Sequence, residues 1–451
     1  MASRGLPPGP RFAPLQAVLM VRNPIHYLAR LQRRHGDVFT VPFPSVGRLV
    51  YLAHPEAIKQ VFTADPAHIH SGEAVEPFLG PVVGKHSVFV LDEDDHMRER
   101  KLLLPPFHGE RIRRYQETFA AIAARETESW PLREPFALRE RMQAMTLEAI
   151  LRTVFGIGDE AIIASFQERV ARFGKVGNLV VWLPGLRRRL GGIGPWDRFV
   201  SGREAIYELI YAEIDRAQAD PRLDERDDVL ALLLGARRED GSGMTRDELR
   251  DELMTVIAAG HETTATGLSW FFERVLRHPS VEERLRAEIA AGEDEYLDAT
   301  VRETLRVRPV IMDVVRRLMR PATIGGWDLP AGTDVVPSIG LVQLREDVYP
   351  DPYAFRPERF LGDGAGGTYT WIPFGGGVRR CVGAAFAQLE LKVMARTILE
   401  RVRLTAADPA PEPQRAAHVS VVPARGARVV VTERLDPAST VTGDRPIVTA
   451  A

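Results

Sequence analysis

The fourteen residues Phe374–Ala387, FGGGVRRCVGAAFA, contain the chain's single cysteine, Cys381, and their reading decides the fold. A lone cysteine in a long chain is ordinarily a small buried hydrophobe. Its neighbours here argue for more. Gly375, Gly376 and Gly377 permit positive φ angles and close backbone approach, so the loop can turn its N–H groups toward one acceptor just before the chain becomes helical. From Val382 onward the sequence predicts an amphipathic helix, with Phe386, Leu389 and Val393 along one stripe. The unpaired N–H groups at its start favour a thiolate over a thiol. Gly383 and Ala384, almost without side chains, leave room for a flat ligand against the first turn.

A thiolate held in such a nest beside a planar space is what a haem iron with a sulfur axial ligand requires. The pattern Phe374-Gly375-Gly376-Gly377-x-Arg379-x-Cys381-x-Gly383 resembles the haem-binding signature of the cytochrome P450 superfamily. The resemblance implies that Cys381 is the proximal iron ligand of a haem b. It implies that Phe374, Gly375 and Gly383 lie against the cofactor, and that Arg379 meets a haem propionate. The expected fold is mainly α with small β-sheets, its long central helix passing over the haem.

The chain has 451 residues, more than one domain usually holds, yet no linker-like stretch or internal repeat divides it. Residues 1–433 are therefore expected to form one domain, with 434–451 a disordered tail. Apolar residues make up 45% and charged residues 27%, enough to bury a large core. The net charge of −2 gives no reason to expect a nucleic-acid partner. One cysteine excludes an intramolecular disulfide and suits a reducing cytoplasm. Near the start, Leu15–Val21 is apolar but contains Gln16 and stops at Arg22, well short of the ~20 residues that span a bilayer. A soluble, cytoplasmic monomer without a membrane anchor is expected.

Other motifs follow in the family's order. Residues 93–105, EDDHMRERKLLLP, place His96 and Arg100 four apart on one helical face. Taken alone this is a solvated helix of mixed charge; the resemblance assigns both residues to haem propionates. Carboxylates entering an apolar pocket need cationic partners, and Arg100, Arg379 and Arg316 would supply them. Residues 173–192, VGNLVVWLPGLRRRLGG within them, read as a surface loop with a solvated basic turn, where the family has its substrate-entry lid.

Thr245 and Glu248 form a capping box opening a helix of about 32 residues that ends at His278-Pro279. Its middle, Ala259-Gly260-His261-Glu262-Thr263-Thr264, combines an interior glycine with adjacent threonines, so a local bulge is expected. The resemblance makes this the oxygen-binding groove, with Ala259 and Gly260 against the haem. Thr263 and Glu262 are then catalytic, the first positioning oxygen and the second connecting it to solvent. Glu303 and Arg306, alone an ordinary salt bridge, become with Arg359 the family's buried structural network. Val310, Ile311, Met312 and Asp313 are implied to line the substrate pocket. His418 and Val419 join them from a final hairpin over 417–432.

The function so implied is a monooxygenase. It would insert one atom of O2 into a C–H or C=C bond of a hydrophobic small molecule. Electrons from NAD(P)H would pass through a ferredoxin reductase and a ferredoxin. Arg98, Lys101, Arg113 and Arg380 are candidates for the basic face that an acidic ferredoxin meets. Two other readings stand beside it: a peroxide-driven peroxygenase using the same haem, against which the intact Glu262-Thr263 pair argues, and a non-catalytic haem- or lipid-binding protein, which substrate-dependent oxygen uptake would separate from an enzyme.

Overall fold

The computed structural model describes residues 3–44, 46–189, 191–362, 366–417 and 419–436, apart from several side chains between 175 and 184. Its axis is the central helix Arg246–Val275, 30 residues or about 45 Å long. The capping box forms as predicted. The Thr245 hydroxyl accepts the Glu248 N–H at 3.3 Å, and the Glu248 carboxylate accepts the Thr245 N–H at 2.6 Å. From Thr264 to Val275 every residue is buried, so this half of the helix is surrounded. From Ala258 to Thr263 each residue is only half-buried, and here the helix borders open space.

Helices Leu138–Val154, Pro195–Gln218, Glu295–Val307 and Ala384–Arg401 pack on the central helix, and Glu160–Trp182 lies along Pro195–Gln218. Phe173 and Phe199 join the last two, ring centroids 5.0 Å apart. Their core is continuous from Val88 to Val431. A five-stranded sheet stands to one side, in the order Val38–Phe43, Gly47–Leu52, Asp334–Pro337, Arg316–Leu318, Ile69–His70, with only the second and third strands parallel. Its two-residue alternation separates two small cores. Val38, Val50 and Leu52 pack with the helix Pro55–Phe62, while Phe39, Val41 and Tyr51 pack with Pro24–His35.

After Ser71 comes a helix, Gly72–Val83, with Pro77 and Pro81 inside it. Several expectations are corrected. The loop expected from residue 173 is the second half of Glu160–Trp182, where Gly174 and Gly177 weaken the helical signal. No bulge interrupts the central helix. The cysteine helix starts at Ala384, two residues late. The single final hairpin is two structures: Gln414–Ala417 pairs with Ser420–Pro423, while Arg428–Arg434 lies between Val402–Ala406 and Pro135–Ala137. That strand runs to Arg434; residues 437–451, most of the expected tail, lie outside the described ones.

Two polar devices lock these parts. Asp251, fully buried, accepts the His86 N–H at 3.1 Å, and its neighbour Glu252 accepts the Val88 N–H at 2.7 Å, which ties residues 86–88 to the central helix. Glu303 holds Arg306 at 2.6 and 2.8 Å with both wholly buried, and Arg359 approaches the same carboxylate at 3.5 Å. Removing one partner of a buried pair leaves a charge with no compensation. Glu303→Gln is therefore expected to lower the unfolding free energy by about 3–5 kcal/mol. Arg284→Gln, which breaks an exposed pair with Glu358, should cost less than about 1 kcal/mol. Urea denaturation of both variants measures the difference.

Candidate active site

The cysteine loop is closed by its own backbone: the Gly375 N–H donates to the Ile372 carbonyl at 2.9 Å, and the Cys381 N–H to that of Phe374 at 3.0 Å. Gly375 and Gly377 have φ of +69° and +65°, a region that side chains disfavour. At Gly377 a Cβ would also stand 2.2 Å from the Phe62 carbonyl oxygen, so close packing adds to the demand. Gly383 differs. A Cβ there would meet nothing within 4 Å, and it precedes the first turn of Ala384–Arg401. Phe374 turns its ring edge toward Trp371, 6.3 Å away.

The Cys381 thiol is exposed, although protein atoms crowd around it on most sides, as expected of a group in the wall of an opening. Burial pushes its pKa up, against the Gly383 N–H and the charges of Arg100 and Arg380, which pull it down. Crowding by protein atoms thus opposes the helix N-terminus at this thiol. A bound metal ion reverses that balance.

Around this loop the structure gathers cations. Arg379 donates to the Val88 carbonyl at 3.0 Å and pairs with Asp92, while Arg100 donates to the Arg380 carbonyl at 2.7 Å. Arg316 is 7% exposed and donates to the Ser71 hydroxyl at 3.0 Å. His96, 3% exposed, is held near pKa 3 by burial and then by Arg379, Arg100 and Arg316, with Asp92 opposing. Burial also lowers Arg316 and Arg379 to about 10. Asp92 is already engaged by the N–H groups of Ser71, Gly72 and Glu73, at 2.9, 2.9 and 2.8 Å. Asp92 therefore pairs with Arg379 and is felt by Arg316, while Arg100 has no carboxylate in its hydrogen bond to Arg380, an arrangement that accommodates further anions.

On the central helix Thr263 donates to the Ala259 carbonyl at 2.6 Å, within the half-buried stretch. A Cβ on Gly260 would come 2.6 Å from Ile150 of the helix Leu138–Val154. That helix applies one stripe of side chains to this turn, at positions 139, 143, 146 and 150. Arg139 pairs with the Glu262 carboxylate, Gln143 donates to it at 2.9 Å, and Thr146 donates to the His261 carbonyl at 2.8 Å. Glu262 thus faces a neighbouring helix, rather than solvent directly. Arg139 and Gln143 lie more than a hundred residues earlier in the chain, and no local pattern marks them.

The pocket residues divide. The buried Val310 accepts the Val421 N–H at 2.8 Å, and Ile311 and Met312 pack on opposite cores of the sheet. Asp313 accepts the Ser338 hydroxyl at 2.8 Å and also bonds Tyr51. Val419 sits on an exposed turn, and His418 lies outside the described residues. Leu344 packs against the main core, and Arg345 beside it pairs with Asp37 at 3.0 Å. Of the basic residues proposed to face a redox partner, Arg98, Lys101 and Arg113 already pair with Asp95, Glu239 and Glu110.

With the fold and the cysteine loop in view, the chain was compared with known proteins. The Cytochrome P450 family model matches residues 4–431. A "Putative cytochrome P450 135B1" of Mycobacterium tuberculosis is 44% identical over 450 residues, covering 97% of this chain and 94% of that protein. A "Putative cytochrome P450 138" of Mycobacterium bovis is 38% identical, covering 95% and 97%. Among solved structures, "Retinoic acid bound cyanobacterial CYP120A1" superposes with a TM-score of 0.83 at 23% identity, covering 96% of this chain and 100% of that one. The haem domain of cytochrome P450DA superposes at 0.84 and 19%, covering 97% and 100%. The chain belongs to the cytochrome P450 family, whose members are monooxygenases.

Burial raises the Asp313 carboxyl to about 7 from the ordinary 3.8, against the Ser338 and Tyr51 hydrogen bonds. The folded state then holds a proton that the unfolded chain has released, so this group's stabilisation is full below pH 3.8 and falls away as pH rises to about 7. The stability of Asp313→Asn minus that of the native chain should therefore climb over that window and level off above it, as urea titrations at a series of pH values would show.

Proposed function

We propose that the protein inserts one atom of O2 into a C–H or C=C bond of a hydrophobic small molecule, at a haem b whose axial ligand is the Cys381 thiolate. The observation that carries this reading is an exposed thiol beside a cluster of arginines with too few carboxylates to match. The residues fit the group. Arg316 is buried with no carboxylate among its hydrogen-bond partners, as a cation awaiting a propionate would be, and Gly383 faces open space where a ring could lie. Arg100, Arg316 and Arg379 would hold the propionates, with neutral His96 as a hydrogen-bonding neighbour.

Haem with a thiolate ligand supplies electron density that favours O–O cleavage. The chain's own part is to place substrate and protons. Thr263 offers a hydroxyl on the half-buried face of the central helix, and its bond to the Ala259 carbonyl fixes the direction of its proton. Glu262 stores a carboxylate one residue away, held by Arg139 and Gln143, and passes protons inward when that hold loosens. Val310 and one of Ile311 and Met312, which point to opposite cores, give the substrate an apolar wall, and Asp313 adds one group that can accept a hydrogen bond. Electrons come from NAD(P)H through a reductase and a ferredoxin, whose contact on the cysteine side centres on the exposed Arg380. Residues 1–433 act as one unit, a reading that the core running from Val88 to Val431 supports.

The reduced holoprotein exposed to carbon monoxide should show the red-shifted Soret band of a cysteinate ligand, and Cys381→Ser should abolish it. Persistence of the band in the variant removes Cys381 from its role. Thr263→Ala should release at least about tenfold more peroxide per reductant consumed, read in a coupled assay with substrate present. Turnover sustained by peroxide alone, and unchanged in that variant, would mark a peroxygenase instead.

A further inference from the structure

The helix Ala13–Arg22 is mounted the wrong way round for a globular protein. Its fully buried positions are Gln16 and Met20. Gln16 is secured by hydrogen bonds, donating to the Phe12 carbonyl at 2.9 Å and accepting from the Tyr27 hydroxyl. The outer face carries Phe12 at 66% exposure, Leu15 at 50%, Val18 at 54%, Leu19 at 38% and Val21 at 49%. A surface helix normally presents the opposite pattern, and a contiguous exposed apolar patch marks a binding face. The strand Gln414–Ala417 packs on this helix and leads directly into the turn that exposes Val419.

The charge around the helix has one sign. Before Asp37 the chain has six arginines, at 4, 11, 22, 30, 33 and 34, and no Asp or Glu, although its overall charge is −2. Arg11, Arg22, Arg30, Arg33 and Arg34 are exposed, and Arg415 adds another cation on the neighbouring strand. On the helical wheel Arg22 falls between Leu15 and Val18, within the apolar face itself. Apolar side chains ringed by cations suit a surface of hydrocarbon beneath anionic headgroups. They suit a second copy of the chain poorly, because pairing would bring like charges together. No described helix is long and apolar enough to cross a membrane, so the contact would be peripheral.

We infer that residues 11–36, with the neighbouring turn at Val419, form a docking surface for an anionic lipid bilayer. The helix lies in the plane of the interface, with Leu15 and Leu19 reaching below the headgroups and Arg11 and Arg22 at their level. This inference does not depend on the haem chemistry.

The test uses the full-length holoprotein, pelleted with vesicles of phosphatidylcholine alone or mixed with phosphatidylglycerol. Binding is expected to the mixed vesicles and should weaken as salt is raised. Leu15→Asp with Leu19→Asp should reduce partitioning by at least about tenfold, and Arg11→Glu with Arg22→Glu by about tenfold or more. Both pairs are exposed, so thermal midpoints should stay unchanged; if the first pair misfolds, the second decides. Failure of the native chain to pellet with phosphatidylglycerol vesicles overturns the inference, as does binding that neither pair alters. Dimers that Leu15→Asp with Leu19→Asp dissociates, without vesicle binding, would make the face a contact between copies and overturn it as well.

Discussion

Glu303 and Arg306 are excluded from water and grip each other through two hydrogen bonds, and the geometry of the cysteine loop depends on that grip. A guanidinium so placed must satisfy all its donors. Arg306 does so by bonding the carbonyls of Gln343, Pro352 and Ala354, at 2.9, 2.8 and 3.2 Å. Three carbonyls from a segment without regular structure are thereby fixed to one helix. Gln343 extends the network: its amide donates to the Leu305 carbonyl, and its oxygen accepts the Ile372 N–H at 3.0 Å. Ile372 in turn accepts from Gly375. An ion pair thus reaches the glycines before Cys381 through one glutamine. The pair's desolvation cost is spread over a network in which each side-chain polar atom of Glu303, Arg306 and Gln343 has a partner.

The second constraint is electrostatic imbalance. Arg100, Arg316 and Arg379 surround His96 with only Asp92 in opposition, and burial lowers the pKa of each arginine. Such an accumulation of like charge destabilises a protein unless an anion compensates it. The cluster is assembled from distant parts. Arg379 comes from the cysteine loop, Arg316 from the sheet, Arg100 and His96 from the helix Glu93–Leu103, and Asp92 stands just before that helix while accepting the N–H groups that open Gly72–Val83. The fold alone brings these cations together, since no local stretch of sequence does.

Much of this was legible in the sequence where the signal is local. The capping box at Thr245 forms as read, Gly375 and Gly377 take positive φ while Gly376 is extended, and Glu303 bonds Arg306 at the i,i+3 spacing. Signals carried by proline and glycine misled. Pro77 and Pro81 sit inside a helix, and the glycines of Glu160–Trp182 do not end it, because packing on neighbouring helices outweighs propensity. Partners across the fold were invisible. Arg139 and Gln143 on Glu262, Asp92 on Arg379, and Ser338 with Tyr51 on Asp313 arise from tertiary contact alone. The thiol of Cys381 shows the same limit: its helix was readable, but the depth of its surroundings was not.

The seam between Leu138–Val154 and the central helix works as a gauge of separation. Ile150 occupies the place a side chain on Gly260 would take, and the same stripe carries the two residues that grip Glu262. One added methyl group would have to displace the tip of Ile150, on the same face that carries that carboxylate's clamp. Packing at Gly260 and the hold on Glu262 are carried by one helix, so a shift in either is felt at the other.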